Sequence, residues 1–212
     1  MHDLRHIRRE YQLKELSKAS VNADPFLQFS EWLKEAIDAK VQDPTAMVLS
    51  TVSNEGRPSS RVVLLKQVTD NGFDFFTNYL SKKGQQLKNK PFASLLFFWN
   101  ELERQVRIEG KITPLPTKES DGYFLSRPLQ SQIGAWASPQ SSIIEGRNAL
   151  ENRVKEFDKK FKVEAISRPP HWGGYRLEPD LFEFWQGRES RLHDRIEYLK
   201  SSGGWEHHRL AP

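Results

Sequence analysis

Short runs of β-branched and aromatic residues alternate with turn signals from position 46 to position 115. The first three runs are AMVLSTVS, SRVVLLKQV and FDFFTN, and Asn54-Glu55-Gly56 and Asp70-Asn71-Gly72 lie between them. Such Asn/Asp and Gly clusters between β-type runs are typical of hairpin turns. The pattern predicts an antiparallel meander, and ASLLFFW and RQVRIEGKITPL predict two further strands.

Helix-start and helix-stop signals surround these strands. Asp24 followed by Pro25 is an N-cap signal, and a capping box of Ser142 and Glu145 marks the segment expected to be the longest helix. The stretch 129–140 has no clear period and is predicted to be a functional loop. The predicted helices cover residues 25–41, 81–89 with Ser81 as its cap, 117–126 and 142–161.

The C-terminal part closes the fold with more strands. After Arg168-Pro169-Pro170, the segments GGYRLEP, LFEFWQG, RIEYLK and WEHHRLAP predict three or four of them. Because no alternating βαβ run occurs, the chain is predicted to be an α+β protein built on a small barrel. Its 212 residues favour one domain over 21–212, and the polar, basic residues 1–20 are expected to form a mobile arm.

Composition excludes several kinds of chemistry. The chain has no cysteine, so disulfides, thiolate nucleophiles and Cys-ligated metals are excluded, and the histidines lack metal-ligand spacing. The net charge of +4 does not by itself indicate nucleic-acid binding. The longest apolar stretch, Leu95–Trp99, is far too short to span a membrane, and the first ten residues contain no apolar signal core. We therefore expect a cytoplasmic protein.

The first candidate site is the segment RVVLLK. On a strand of period two, its terminal charges Arg61 and Lys66 point to opposite sides. This suggests that one side holds a phosphate and the other a second ligand, whereas the alternative is that both charges only solvate the strand ends.

Two more candidates are suited to anions. Ser81-Lys82-Lys83-Gly84 begins a short helix, where free backbone N–H groups and two ammonium groups converge. Tyr123, Arg127 and Ser131 are spaced four apart, and two hydroxyls with a guanidinium can satisfy several oxygens of a phosphate monoester. Gln140 and Ser141 could supply further hydrogen-bond donors to the phosphate. The alternatives are a solvated helix start and an exposed helix end.

The densest candidate runs from Trp185 to Arg195 and holds three arginines, a histidine, two acids and a tryptophan. Directly after an apolar strand, these charges are costly to bury unless they meet ligands or each other. Ser190 has no GxSxG context, which argues against a hydrolase. Binding of nucleic acid through Arg and Trp stays open, but no known module is present.

Together these segments resemble the pyridoxine (pyridoxamine) 5′-phosphate oxidase family from about Arg8 to Pro212. Any one match would be weak, but ten in family order are specific. The matching segments are RREY at 8–11, RVVLLK at 61–66, FFTN at 75–78, SKKG at 81–84, FFWNELERQVRIEG at 97–110, YFLSRP at 123–128, SQIGAWASPQS at 131–141, PPHWGGYRL at 169–177, EFWQGRESRLHDR at 183–195 and the terminal RLAP.

The resemblance implies a split β-barrel homodimer that binds FMN between its subunits. The implied reaction oxidises pyridoxine 5′-phosphate or pyridoxamine 5′-phosphate to pyridoxal 5′-phosphate. Oxygen is the electron acceptor and becomes hydrogen peroxide, and the amine substrate also releases ammonia.

It also implies the site residues, position by position. The flavin-binding positions match Arg61, Val62, Val63, Leu64, Leu65, Lys66, Phe76, Thr77, Lys82, Lys83, Gln105, Gln140, Ser141, Trp185 and Arg195. The substrate-binding positions match the arm residues Arg8, Arg9, Glu10 and Tyr11, then Lys66, Tyr123, Arg127, Ser131, Arg191, Leu192 and His193.

Within these sets, catalytic roles fall to Arg191, expected over the substrate ring, and His193, expected at its C4′ substituent. Arg195 is the cation expected at the flavin N1 and O2 edge. Two positions depart from the commonest family pattern, since Phe76 replaces a usual Tyr and Lys82 a usual Arg. Lys82 keeps the charge without the bidentate fork, so a slightly weaker affinity for FMN is expected.

Two alternatives stay open at this point. One is a non-catalytic module that binds flavin or pyridoxal phosphate on the same barrel. The other is a related split-barrel FMN reductase that uses a nicotinamide, which rapid bleaching by NADPH would favour.

Overall fold

The computed structural model describes residues 2–6 and 10–212. Within this part of the chain there are nine β-strands: β1 (Ala46–Val52), β2 (Pro58–Leu64), β3 (Gln67–Thr69), β4 (Gly72–Asn78), β5 (Phe92–Trp99), β6 (Arg104–Pro114), β7 (Trp172–Gln186), β8 (Asp194–Ser201) and β9 (Gly204–Leu210). The helices of the same part are α1 (Pro25–Asp38), α2 (Lys82–Asn89), α3 (Thr117–Ser126), α4 (Leu129–Ala137) and α5 (Arg147–Lys160).

All nine strands belong to one antiparallel sheet, in the order β2-β1-β5-β6-β7-β4-β3, with β8 paired to β7 and β9 to β8. The first and last strands of that path, β2 and β3, are joined by only Leu65 and Lys66. The sheet therefore curls back on itself. This confirms the predicted α+β class and the split β-barrel.

The predicted meander is correct at both hairpin turns, but its second run, SRVVLLKQV, forms two strands, β2 and β3, and not one. β1 and β2 do pair, but β4 pairs with β3 and β7 and not with β2. β4 is buried along nearly its whole length, so it needs a neighbour on both edges. The distant β7 supplies the second edge, where Gly173 and Gly174 lie opposite Thr77 and Phe76.

The segments GGYRLEP and LFEFWQG are one strand, β7, and not two. A register shift between Glu109 and Gly110 leaves Asp180 as the extra residue opposite β6. Such a bulge accommodates Pro179 inside a central strand. A Cβ at Gly110 would lie 2.1 Å from the Glu178 carbonyl oxygen, so this close approach requires glycine.

Three helix predictions need correction. α1 ends at Asp38, three residues early, and α4 replaces the loop predicted at 129–140. Packing forms α4 without a strong amphipathic pattern, because Gln132, Ile133 and Ala137 are buried. α5 begins at Arg147 after Gly146 without a side-chain cap, so the Ser142 and Glu145 capping box does not form, and α5 equals α1 in length.

Aromatic side chains fill the barrel interior. Phe29 of α1 is fully buried, and its ring centroid lies 5.0 Å from those of both Phe73 and Phe97. Trp32, one turn later, packs edge-on against Phe184 at 5.2 Å. α1 is thus held against the curled sheet by its buried aromatic side chains.

The described part of the arm lies against the barrel. Glu103 Oε2 accepts hydrogen bonds from the backbone N–H groups of Gln12 and Leu13, at 2.9 and 3.1 Å. Asp194 Oδ2 accepts one from the N–H of Leu16, at 3.0 Å. The mobility of residues 1–20 and the single domain over 21–212 stay predictions. Across the part of the chain that the structure describes, no helix combines the length and apolarity needed to cross a bilayer.

Candidate active site

A cavity of about 940 Å³ opens between β2, β4, α2, α3 and α4. The described residues that line it include no carboxylate. They include five cationic side chains: Arg61, Lys66, Lys82, Lys83 and Arg127. The other predicted site residues in its lining are Val62, Val63, Leu64, Phe76, Thr77, Tyr123, Ser131, Gln140 and Ser141. An excess of unpaired cations in one cavity indicates an anionic ligand.

At one end of the cavity two cations lie close together. Arg61 Nη1 donates to the Leu49 carbonyl at 3.0 Å and to Thr51 Oγ1 at 2.7 Å, and Nη2 donates to Ser59 Oγ at 2.8 Å. The Nε hydrogen and the second Nη2 hydrogen of Arg61 have no acceptor among the described residues. They are therefore available to a ligand.

Lys83 completes this end. Its Nζ donates to Thr77 Oγ1 at 3.1 Å and to Gln140 Oε1 at 3.0 Å, which brings two predicted flavin positions to one ammonium. Burial, with a smaller contribution from the charge of Arg61, lowers the pKa of Lys83 to about 8. None of the described carboxylates pairs with Lys83, so the ammonium lacks the counterion that a bound phosphate would supply.

Arg127 forms the second cationic end. The side chain lies over the Trp172 ring at 4.6 Å, and its Nη1 is buried without a hydrogen-bond partner. Burial lowers the pKa of Arg127. Gln132 Nε2 donates to the backbone carbonyl of Arg127 at 2.7 Å and so fixes the link between α3 and α4. A half-buried guanidinium with a buried, unused donor is suited to an oxyanion.

An aromatic stack forms the wall near Arg127. The rings of Phe76 and Tyr123 are stacked with centroids 3.9 Å apart, and Trp172 lies parallel to Phe76 at 5.5 Å. Phe76 stands where the family resemblance implies a Tyr. It has no hydroxyl and contacts its neighbours Tyr123 and Trp172 through its ring face. The stack holds the Tyr123 hydroxyl on the same cavity as Arg127.

Two predictions about RVVLLK need correction. Arg61 and Lys66 line the same cavity and do not point to opposite sides. The period-two argument fails because β2 ends at Leu64, so Lys66 lies beyond the strand. Leu65 is only 4% exposed, packs in the core and does not line the cavity with the other residues of this segment.

A second group of predicted residues does not line the cavity of this chain. Gln105, Trp185 and Arg195 lie side by side across β6, β7 and β8. Arg195 Nε donates to Glu183 Oε1 at 2.8 Å, and Arg107 Nη2 donates to Glu183 Oε2. Burial alone would raise the pKa of Glu183, but the hydrogen bonds from the two arginines outweigh it and lower the pKa.

The turn after β7 completes this group. Tyr11 packs edge-on against Trp185 and His193, each at 5.7 Å between ring centroids, and Glu10 Oε2 accepts from the Ser190 N–H at 3.3 Å. His193 Nδ1 accepts from the Arg188 N–H at 3.1 Å, and burial together with the charge of Arg191 lowers the His193 pKa.

Exposed residues flank this turn. Arg191 is exposed at φ 61°, and Leu192 is 69% exposed beside it. Arg8 and Arg9 lie outside the described residues.

Sequence reasoning missed one wall of the cavity. Ser131, Gly134 and Ala135 on α4 and Ser138 directly after it line the cavity at helical spacing, but only Ser131 was predicted. Their i, i+3, i+4, i+7 spacing was the available signal. The other unpredicted lining residues are Asn78, Pro128 and Trp172.

Family comparisons agree with this arrangement. Residues 33–161 match the family model described as pyridoxamine 5′-phosphate oxidase. Residues 172–212 match the model described as the pyridoxine 5′-phosphate oxidase C-terminal dimerisation region. The second group of site residues, from Trp185 to Arg195, lies in that dimerisation region.

Similar proteins extend over the full chain. A pyridoxine/pyridoxamine 5′-phosphate oxidase from Paraburkholderia phymatum is 55% identical over 213 residues, which is 100% of both chains. One from a Cyanothece species is 50% identical over 97% of both.

Among solved structures, PhzG from Burkholderia lata, in complex with tetrahydrophenazine-1-carboxylic acid, has a TM-score of 0.88 and 33% identity. That match covers 94% of this chain and 99% of PhzG. An FMN-binding protein from Nostoc punctiforme shares the fold, with a TM-score of 0.69 and 17% identity over 87% of this chain and 97% of its own. The chain belongs to the pyridoxamine 5′-phosphate oxidase family.

Proposed function

We propose that this protein oxidises pyridoxine 5′-phosphate and pyridoxamine 5′-phosphate to pyridoxal 5′-phosphate with FMN as cofactor and oxygen as electron acceptor. The observation that carries the proposal is the cavity with five cations and no carboxylate among its described lining residues. FMN and the substrate each bring a phosphate dianion, and the cavity has two cationic ends to receive them.

The Arg61 end is suited to the flavin phosphate. Arg61 keeps two N–H groups free while three are held by the protein, and Lys83 lies near it without a carboxylate partner among the described residues. Thr77, Gln140 and Ser141 would add hydrogen-bonding groups, and residues 62–64 would run along the ring system.

The Arg127 end is suited to the substrate phosphate. Its buried, unpaired Nη1 is the donor that a phosphate oxygen would satisfy, and the hydroxyls of Tyr123 and Ser131 line the same region. Lys66 lines the cavity as well and would serve both ligands. Each ligand would thus be held by its own phosphate, which orients the two ring systems relative to each other.

The second group of site residues requires a partner subunit in this proposal. Gln105, Trp185, Arg191, His193 and Arg195 do not line the cavity of their own chain, and all but Gln105 fall in the dimerisation region. We propose a homodimer in which this group completes the cavity of the other subunit, with one FMN site at each subunit boundary. The arm from Arg8 to Tyr11 would then close over the substrate.

When bound, FMN would supply the redox chemistry, as the acceptor of a hydride from C4′ of the substrate and the donor of both electrons to O₂, which would leave as H₂O₂. Arg191 would hold the substrate ring in place, and His193 would position or exchange the proton of the C4′ substituent. Arg195 would stabilise negative charge at the N1 and O2 edge. With the amine substrate, water completes the reaction and ammonia leaves.

One comparison favours a second candidate. PhzG, at 33% identity, was solved with a tetrahydrophenazine carboxylic acid, so a tricyclic acid substrate is the competing hypothesis. The Arg127 end favours a phosphate monoester, since a half-buried guanidinium beside the hydroxyls of Tyr123 and Ser131 matches three terminal oxygens. A cytoplasmic location, compatible with a chain that has no cysteine, is part of the proposal.

Aerobic turnover of the FMN-loaded protein distinguishes these functions. With pyridoxine 5′-phosphate we expect equal yields of pyridoxal 5′-phosphate and H₂O₂, and far slower oxidation of unphosphorylated pyridoxine. Faster oxidation of tetrahydrophenazine-1-carboxylic acid would favour the second candidate. Turnover only with NADPH would indicate a reductase, and flavin binding without turnover of any of these donors would indicate a binding module.

A further inference from the structure

A buried amide lies behind Arg61, outside the cavity. Gln86 on α2 is 7% exposed, and its Oε1 accepts hydrogen bonds from Thr51 Oγ1 at 2.6 Å and from Ser59 Oγ at 3.0 Å. The same two hydroxyls accept from Arg61 Nη1 and Nη2, at 2.7 and 2.8 Å. The amide oxygen of Gln86, the hydroxyls of Thr51 and Ser59 and the guanidinium of Arg61 therefore form a closed ring of hydrogen bonds.

The direction of every bond in this ring is fixed by chemistry. A guanidinium only donates, so each hydroxyl uses a lone pair for Arg61 and must direct its own proton elsewhere. Gln86 Oε1 is the acceptor for both protons. If the amide were turned so that its NH₂ group faced the hydroxyls, neither proton would have an acceptor, so the ring also fixes the orientation of the Gln86 amide.

The ring also joins two parts of the site. Thr51 on β1 and Ser59 on β2 are cross-strand partners, and Arg61 follows two residues later on β2. Gln86 comes one helical turn after Lys83 on α2. The contact therefore fixes the helix that carries Lys83 against the hairpin that carries Arg61.

We infer that Gln86 is a positioning residue for the phosphate end of the cofactor site. It does not line the cavity, and it acts by holding the Arg61 fork through Thr51 and Ser59 so that the two free N–H groups face the cavity. This inference rests on the proposed function, because it assumes that Arg61 receives the FMN phosphate. A purely structural Gln86 would affect all flavins equally.

The test is the ratio of dissociation constants for riboflavin and FMN, measured by quenching of flavin fluorescence with the full-length, flavin-free protein. The two ligands differ only in the phosphate. Gln86→Met preserves side-chain length but removes the strong acceptor, and we expect it to lower the ratio about tenfold through weaker FMN binding. Riboflavin affinity should change less than about twofold.

Gln85→Met is the matched control, because Gln85 is the adjacent residue on α2 and is exposed, and the one hydrogen bond of its side chain to a described residue is to the Tyr79 carbonyl, at 3.2 Å. This variant should keep the wild-type ratio. In an Arg61→Met background, Gln86→Met should have no further effect on the ratio if it acts through Arg61. If Gln86→Met does not fold, Thr51→Val removes one link of the ring and should lower the ratio severalfold.

An unchanged ratio in Gln86→Met, or an equal loss of affinity for both flavins, would overturn the positioning role while leaving the FMN proposal intact. An additive effect in the Arg61→Met background would overturn it as well. If the wild-type protein bound riboflavin as tightly as FMN, the cofactor proposal and this inference would both be wrong.

Discussion

Arg127 gives the sharpest prediction about substrate recognition. Arg127→Met keeps an apolar stem against Trp172 but removes every donor. A hydrogen bond to a charged group contributes about 1.5–3 kcal/mol, and a bidentate contact supplies two. The Arg127 side chain is already half-buried and its buried Nη1 has no partner, so part of the desolvation that binding requires has already occurred. We expect a loss of roughly 3–4 kcal/mol, which is about 150- to 1000-fold in kcat/KM for pyridoxine 5′-phosphate.

The assay compares pyridoxine 5′-phosphate with unphosphorylated pyridoxine in the same variant. The kcat/KM for pyridoxine should change less than about threefold, and the FMN dissociation constant less than about twofold. Arg127→Lys keeps the charge without the fork and should give an intermediate loss of about tenfold. An equal loss for both substrates, or a loss of FMN instead, would refute the assignment of the substrate phosphate to Arg127.

Three other predictions concern charge, stability and the arm. FMN affinity should fall as the pH rises through about 8, because the lowered pKa of Lys83 lets it lose its proton there; a titration of the dissociation constant checks this, and Lys83→Arg should remove the dependence. Glu183→Gln removes the charge that Arg107 and Arg195 share, so the two cations repel each other. Urea unfolding should show a free energy of unfolding lower by about 2 kcal/mol, a value reduced because both arginines are partly exposed. Gly187→Ala places a Cβ 2.7 Å from the Tyr11 ring, so tryptic cleavage at Lys14 should accelerate; an unchanged rate would contradict the observed packing of the arm.

Local signals allowed much of the fold to be predicted. The Ser81 cap and the Thr117 start predicted α2 and α3 correctly, because capping and proline stops act within a few residues. The α4 helix could not be predicted in the same way. Its small and polar residues carry no strong apolar period, and it forms because Ile133 and Ala137 are buried against distant parts of the chain.

The site could be predicted only in part. The spacing of Tyr123, Arg127 and Ser131 pointed to a phosphate site, and all three line the cavity. The ring behind Arg61 has no sequence signal, since Thr51 and Gln86 are 35 residues apart and neither belongs to a chemical motif. The cluster from Trp185 to Arg195 was recognised by its charges after an apolar strand, but the flavin and substrate roles of its residues followed only from the family resemblance. One chain alone does not bring these residues to its cavity.

Anaerobic titration of the FMN-loaded protein with pyridoxine 5′-phosphate tests most directly whether one cavity brings the cofactor and the vitamin phosphate together. We predict that the oxidised flavin absorbance disappears with about one equivalent of substrate per subunit, and that it returns on exposure to air with release of H₂O₂. A flavin that stays oxidised under excess pyridoxine 5′-phosphate and excess pyridoxamine 5′-phosphate would contradict the proposed reaction.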